Sequence, residues 1–167
     1  AWELLVVLNG CTDGTRLVVE ELMRDSPQLR LVEFAEPLGK GGAIWEGLGA
    51  STGSRLAFVD ADNMVRAPET EKLLHELDRF DLAIASRFGP GASRGQTHPL
   101  LRRVASKAVR RWTGMLLGLP FHDTQCGAKA FRAVAWQAIA LHVHERGWAF
   151  DLDVLAAATR LGLTVAE

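Results

Sequence analysis

The apolar run LLVVL at 4–8 is rich in branched residues and is halted by Asn9-Gly10, which predicts a short strand buried on both faces. Turn and cap residues follow at 12–15, and Leu17, Val18, Glu21 and Leu22 then recur at helical spacing up to Ser26-Pro27. The same alternation repeats. A second strand is predicted over 29–34, a glycine loop over 39–42, and a helix over 43–50 that ends in the turn 51–54. A third strand at 56–59, a helix at 69–77 and a fourth strand at 82–85 complete this part of the pattern. From 89 to 99 the composition shifts to Gly, Pro, Ser and Thr, the mark of a loop, before an amphipathic helix at 100–117. The remainder reads as a loop through 123–129, a short strand or helix up to Ala140, and a last helix over 150–161.

Strands alternating with helices at this spacing imply strand-helix-strand crossovers and a mostly parallel central sheet, an α/β three-layer sandwich. Sheets of this kind bind ligands at the carboxyl ends of their strands. Asn9, Asp60, Asp62 and Arg87 all fall at such ends, so one crevice is predicted to collect them.

At 167 residues the chain is of single-domain size. Hydrophobic residues at 48% and charged residues at 23% are the balance of a globular protein. With 19 basic and 20 acidic residues no global charge points to nucleic acid. Cys11 and Cys126 form neither a disulfide framework nor a metal-binding spacing, which favours a reducing, cytoplasmic setting. The longest apolar stretches, such as 115–121, are far short of the ~20 residues that span a bilayer. No charged-then-apolar leader precedes the first strand, so the sequence reads as entered in mid-domain.

Two carboxylates one residue apart, Asp60 and Asp62, close the strand LAFVDADN. In a continuing strand both point to one face, and two neighbouring anions need a shared cation or proton. An oxygen-only pair such as Asp60 and Asp62 suits a hard ion, Mg2+ or Mn2+, of the kind that bridges to substrate phosphates. The other reading is a turn with solvated aspartates that cap the following helix. Lys40 among three glycines, at the start of a helix, would bring backbone N–H groups and one positive charge to an anion. Loop and carboxylate pair together describe a nucleoside diphosphate site.

The segments VVLNGCTDGT, PLGKGGAIWEGL, LAFVDADN, AIASR, DTQCGAKAF and WAFDLDVL occur in that order. They resemble the family 2 glycosyltransferases of the GT-A (Rossmann-like) fold, in particular the branch of dolichyl- and polyprenyl-phosphate glucosyl- and mannosyltransferases. The resemblance covers nearly the whole chain, 1–167, less the family's usual first strand and its C-terminal segment. It implies an inverting, Mg2+- or Mn2+-dependent transfer of a hexose from a UDP- or GDP-sugar, with a polyprenyl phosphate as favoured acceptor. By the same resemblance Asp60 would sit near ribose and metal, and Asp62 would ligate the metal, with Asn63 or water completing its shell. Asn9, Asp13 and Lys40 would lie on the nucleotide-sugar side. Arg87 would meet a phosphate; Asp123, Thr124 and Gln125 would build the acceptor side. Asp151 would be the base or the acid that positions the acceptor.

A phosphate acceptor is already ionised near neutral pH and needs no base, whereas a hydroxyl acceptor needs Asp151 or Asp123. Asp151 as a helix cap, with Asp153 in the first turn, is the structural alternative. For Arg87 that alternative is a surface salt bridge. In the helix at 100–117 the stripe Leu101, Val104, Ala108, Trp112, Met115 lies beside Arg102, Arg103, Lys107, Arg110 and Arg111. Such a helix fits peripheral contact with an anionic membrane, although a sheet-packed helix with a solvated basic face is the preferred reading. Trp45, Trp136 and Trp148 read as surface or loop residues, with stacking on a sugar the alternative for Trp148, just before FDLD. His122, His142 and His144 read as surface or loop residues. A sugar nucleotidyltransferase and a non-catalytic nucleotide-sugar-binding module remain the alternative functions.

Overall fold

A computed structural model of the chain describes residues 1–87 and 119–167. The loop expected at 89–99 and the basic helix expected at 100–117 fall outside those residues. In chain order the elements are β1 (Leu4–Asn9), α1 (Thr15–Asp25), β2 (Leu29–Phe34), α2 (Gly39–Gly49), β3 (Arg55–Val59), α3 (Ala67–Glu76) and β4 (Leu82–Ile84). Then follow β5 (Ala128–Arg132), α4 (Ala133–Ala140), α5 (Phe150–Arg160) and β6 (Val165–Ala166).

β1 and β2 pair in parallel from Leu4 opposite Leu29 to Asn9 opposite Phe34, the two joined through α1. A second sheet has the order β3-β5-β4-β6. β4 and β6 pair in parallel, and β5 runs antiparallel between β3 and β4, with Phe131 opposite both Leu56 and Leu82. β5 is the strand that sequence periodicity leaves undecided, because its second residue is a lysine and its first two ladder partners lie far away in the chain.

Period-two alternation divides this sheet into two unlike faces. Leu56 and Phe58, Leu82 and Ile84, and Phe131 point to one side, where Leu48 of α2, Trp136 and Ile139 of α4, and Phe150 and Val154 of α5 cover them. Ala57, Ala83, Ala128 and Ala130 point to the other, against Leu73 and Leu77 at the end of α3. Helices therefore cover both faces, as the α/β three-layer reading expects. On the bulky face Phe131 packs edge-on to Trp136 at 5.5 Å, and Trp136 in turn meets Phe150 at 6.4 Å. Each such pair contributes about 0.5–1.5 kcal/mol beyond the area it buries. The aromatic stack seats the start of α5, and with it Asp151.

Two expectations are corrected. β1 is not buried on both faces: only Leu8 is fully buried, and Leu4 is exposed, since among the described residues β1 forms ladder bonds with β2 alone. The glycines at 39–42 are not a loop before a helix that begins near Ala43; they are the first turn of α2, after the cap residue Leu38.

Glu3 ties the small sheet to the turn before β3. Its carboxylate accepts the Thr52 N–H at 2.6 Å and hydroxyl at 2.7 Å, and the Arg30 guanidinium at 2.6 Å. The Thr52 bonds, chiefly the backbone one, and then Arg30 lower it from 4.5 to about 2. A carboxylate depressed on folding contributes stability that is complete above its unfolded value and is lost as pH falls through the folded one. Glu3→Gln is therefore expected to lower the melting temperature at pH 7 and to narrow the gap to the wild type between pH 4.5 and 2. A gap that stays constant over this range would refute the assignment.

Candidate active site

The carboxyl ends of β1 and β3, the first turn of α2 and the first turn of α5 meet around one side chain, Lys40. Its ammonium lies 3.0 Å from Asp60 Oδ2 and 3.1 Å from Asp151 Oδ2. Asp60 is the first residue beyond β3, whereas Asp151 is the second residue of α5 and is buried. Burial works against the Lys40 charge, but Asp151 and Asp60 outweigh it and hold this lysine above its ordinary range.

The other oxygen of Asp151 is also engaged. Lys129 of β5 is wholly buried, its Nζ 2.5 Å from Asp151 Oδ1 and 3.0 Å from the Cys126 carbonyl. Burial pushes the Lys129 ammonium below the usual lysine range, and the pull of Asp151 opposes this. With both oxygens held by lysines, Asp151 is not a helix cap, and Asp153 instead accepts the N–H groups of His144 and Glu145.

Glycine chemistry explains how α2 reaches this position. Gly39 has φ +77°, and a Cβ there would lie 2.9 Å from the Arg146 carbonyl oxygen. A Cβ on Gly41 would lie 2.6 Å from Phe150 Cβ and 2.8 Å from the Arg146 carbonyl carbon. The Gly42 N–H donates to the Arg146 carbonyl at 2.8 Å, so it is spent on the protein. These glycines dock the segment before α5 against α2; they do not all face a ligand. Asn9 holds the same turn, its Oδ1 accepting the Leu38 N–H at 2.6 Å and its Nδ2 donating to the Gly39 carbonyl at 3.2 Å.

β3 stops at Val59, so Asp60 and Asp62 do not share the face of a continuing strand. Asp60 faces Lys40, and Asp62 is exposed, its Oδ1 accepting the Met64 N–H at 3.0 Å across a turn in which Asn63 has φ 57°. Neither aspartate caps α3, whose first turn is closed by Glu69 accepting the Arg66 N–H. Arg87 grips the buried Asp123 through a fork: Nε to Oδ2 at 2.8 Å and Nη2 to Oδ1 at 2.7 Å, with the Arg87 N–H adding 3.0 Å to Oδ2. It is more than a surface salt bridge, since Asp123 is fully enclosed. The Asp123 hydrogen bonds, against the cost of burial, hold the Arg87 guanidinium above its ordinary range, with Asp62 the smallest contribution. The Asp60 N–H donates to the Gly127 carbonyl at 2.7 Å and joins the acid turn to the fork.

Most of the residues expected from sequence are thus brought together. Thr124 is buried and Gln125 exposed beside Asp123. Asp13 stands apart: Oδ1 accepts the Thr15 N–H at 3.0 Å and its hydroxyl, at the start of α1. Sequence reasoning missed Lys129, although a lysine between alanines in an apolar run was the available signal. It also missed Glu167, whose carboxylate accepts the N–H groups of His122 and Asp123.

Residues 1–137 match the family model described as glycosyl transferase family 2. The chain belongs to that family. It is 33% identical over 170 residues to the polyprenol monophosphomannose synthase of Mycolicibacterium smegmatis, covering 98% of this chain and 64% of that protein. Identity to the dolichyl-phosphate beta-glucosyltransferase of Saccharomyces cerevisiae is 27% over 184 residues, covering 99% of this chain and 55% of the relative. The chain therefore spans between just over half and just under two thirds of the length of these curated relatives. The crystal structure of Mycobacterium tuberculosis glucosyl-3-phosphoglycerate synthase, in complex with Mn2+, UDP-glucose and phosphoglyceric acid, aligns with a TM-score of 0.69 at 23% identity. That alignment covers 98% of this family 2 chain and 57% of the synthase, and shows the shared GT-A fold. The resemblance carried by the six motifs is borne out, branch included.

Proposed function

We propose that this chain carries the catalytic core of a metal-dependent, inverting glycosyltransferase that moves a hexose from a UDP- or GDP-sugar to a polyprenyl phosphate. The observation that carries the reading is the Lys40 ammonium, held between Asp60 and Asp151 at the carboxyl end of β3 in a family 2 chain. Names of the relatives supply the substrate class.

The residues present fit a hard divalent ion. Asp60 and Asp62 are all-oxygen donors, and Lys40 and the Met64 N–H each take only one oxygen of their partner. Among the described residues no third acid, histidine or cysteine joins them. Asp60, Asp62 and the Asn63 amide would hold Mg2+ or Mn2+ together with the diphosphate, and the ion would supply positive charge to the leaving group. Lys40 contacts the diphosphate as a second source of charge. The Arg87 guanidinium, its fork held by Asp123, is the positive charge that meets the acceptor phosphate. One acceptor oxygen attacks the anomeric carbon; the bond from that carbon to the diphosphate breaks, and the nucleoside diphosphate leaves with the electron pair. The ionised phosphate needs no base, which agrees with an Asp151 whose two oxygens are already held. Trp148, exposed with its ring centroid 6.0 Å from the Lys40 ammonium, offers the hexose an apolar face.

No helix among the described residues is long and apolar enough to cross a membrane. We assign any membrane contact to the basic helix expected at 100–117, in peripheral association at the cytoplasmic face.

The test is incubation of the full chain with UDP-glucose or GDP-mannose, Mn2+ and a short polyprenyl phosphate, with mass spectrometry of the lipid. A hexosyl lipid phosphate with equimolar nucleoside diphosphate supports the reading. Pyrophosphate-dependent formation of nucleoside triphosphate would replace it with a sugar nucleotidyltransferase, and donor binding without turnover with a binding module.

A further inference from the structure

Transfer as described gives no task to Lys129. This lysine sits on the bulky face of the sheet, in register with Phe58 of β3 and adjoining Phe131, its ammonium 5.6 Å from the Phe58 ring centroid and fully buried. A cation there is costly unless a partner anion needs it. The partner is Asp151, 2.5 Å away and as deeply buried, whose other oxygen meets Lys40. Asp60 and Asp151 are balanced one for one by Lys40 and Lys129.

We propose that Lys129 is a positioning residue for the donor: by neutralising Asp151 from inside the core it releases Lys40 to turn from the carboxylates to the donor's diphosphate. This rests on the donor reading above and goes beyond it. Lys40 is part-buried and reaches Asp151 from the crevice side, whereas Lys129 reaches it from within. Without Lys129, Asp151 would have Lys40 as its one cation among the described residues, and moving Lys40 to a phosphate would strand a buried anion. Lys40 would then stay on Asp151, and the diphosphate would enter a site with one positive charge fewer. The core lysine acts on the donor through Asp151 and Lys40, with no contact of its own.

Calorimetry with wild type, Lys129→Met and the double variant Lys129→Met/Asp151→Asn tests this, using Mn2+ with each of UDP-glucose, GDP-mannose and inorganic pyrophosphate. Melting curves are recorded for every protein, and binding is measured well below each midpoint. Lys129→Met is expected to bind the diphosphate ligand at least tenfold more weakly, with KM raised more than kcat falls. The double variant, in which no buried anion holds Lys40, is expected to recover to within about threefold of wild type. A folded Lys129→Met with wild-type affinity overturns the proposal, as does a double variant that regains its melting temperature without its affinity. Should Lys129→Met fail to fold, the double variant decides alone on the same threefold criterion. Wild type that binds pyrophosphate and neither nucleotide sugar refutes the donor reading only, and the comparison proceeds on pyrophosphate. Wild type that binds none of the three overturns both.

Discussion

Asp62→Ala yields a folded protein that has lost sugar transfer by two to three orders of magnitude. The side chain is exposed, and among the described residues its one hydrogen bond is to the Met64 N–H in its own turn. Removing such a bond at the surface costs about 0.5–1.5 kcal/mol, so the melting temperature moves by only a few degrees. The loss in rate has a different origin. A preorganised group aimed at charge that develops in the transition state is worth about 2.7–4 kcal/mol, or 10²–10³ in rate. In the proposed site Asp62 supplies its second oxygen to the cation, and Asp60, already a ligand of the same ion, leaves that position unfilled when Asp62 is gone. The decisive measurement is donor affinity with and without Mn2+. Wild type is expected to show a metal-dependent increase, and Asp62→Ala little or none. An alanine variant that keeps the full metal response would remove Asp62 from the site.

The strands and helices up to β4, and α5, are legible in the sequence because their apolar residues recur with one period over enough positions to exclude the other. The crevice is legible for a related reason: in a crossover sheet the polar residues that end each strand share one edge, which is why Asn9, Asp60 and Arg87 were expected together. What the sequence hides depends on contacts across the chain. Lys129 interrupts the apolar run of β5, and Asp151, 22 residues away, supplies the charge that makes a buried lysine tolerable there. Gly41 reads as loop flexibility, yet its missing side chain admits Phe150, more than a hundred residues later. The two readings of the DxD stretch each describe one residue: Asp62 is the solvated turn aspartate, and Asp60 is the one that meets a cation, Lys40.

Gly127→Ala is expected to cost at least two orders of magnitude in transfer while the fold survives. A Cβ built on Gly127 would lie 2.3 Å from Asp60 Oδ2, 2.6 Å from its Cγ and 3.0 Å from its Cβ. Backbone relief is restricted, because the Gly127 carbonyl accepts the Asp60 N–H at 2.7 Å just where β3 and β5 begin their ladder. The side chain of Asp60 must therefore rotate away, which breaks its 3.0 Å contact with Lys40 and withdraws a carboxylate from the crevice. Overpacking of this kind costs about 1–3 kcal/mol, enough to lower the melting temperature measurably but not to unfold a domain of ordinary stability. Gly49→Ala is the matched control: nothing lies within 4 Å of a Cβ there, and the position ends α2. A helical Gly→Ala exchange gains up to about 1 kcal/mol, so that variant should melt slightly higher and keep full activity. Equal activities of the two alanine variants would show that Asp60 tolerates displacement, and would separate the glycine of DTQCG from the chemistry at the end of β3.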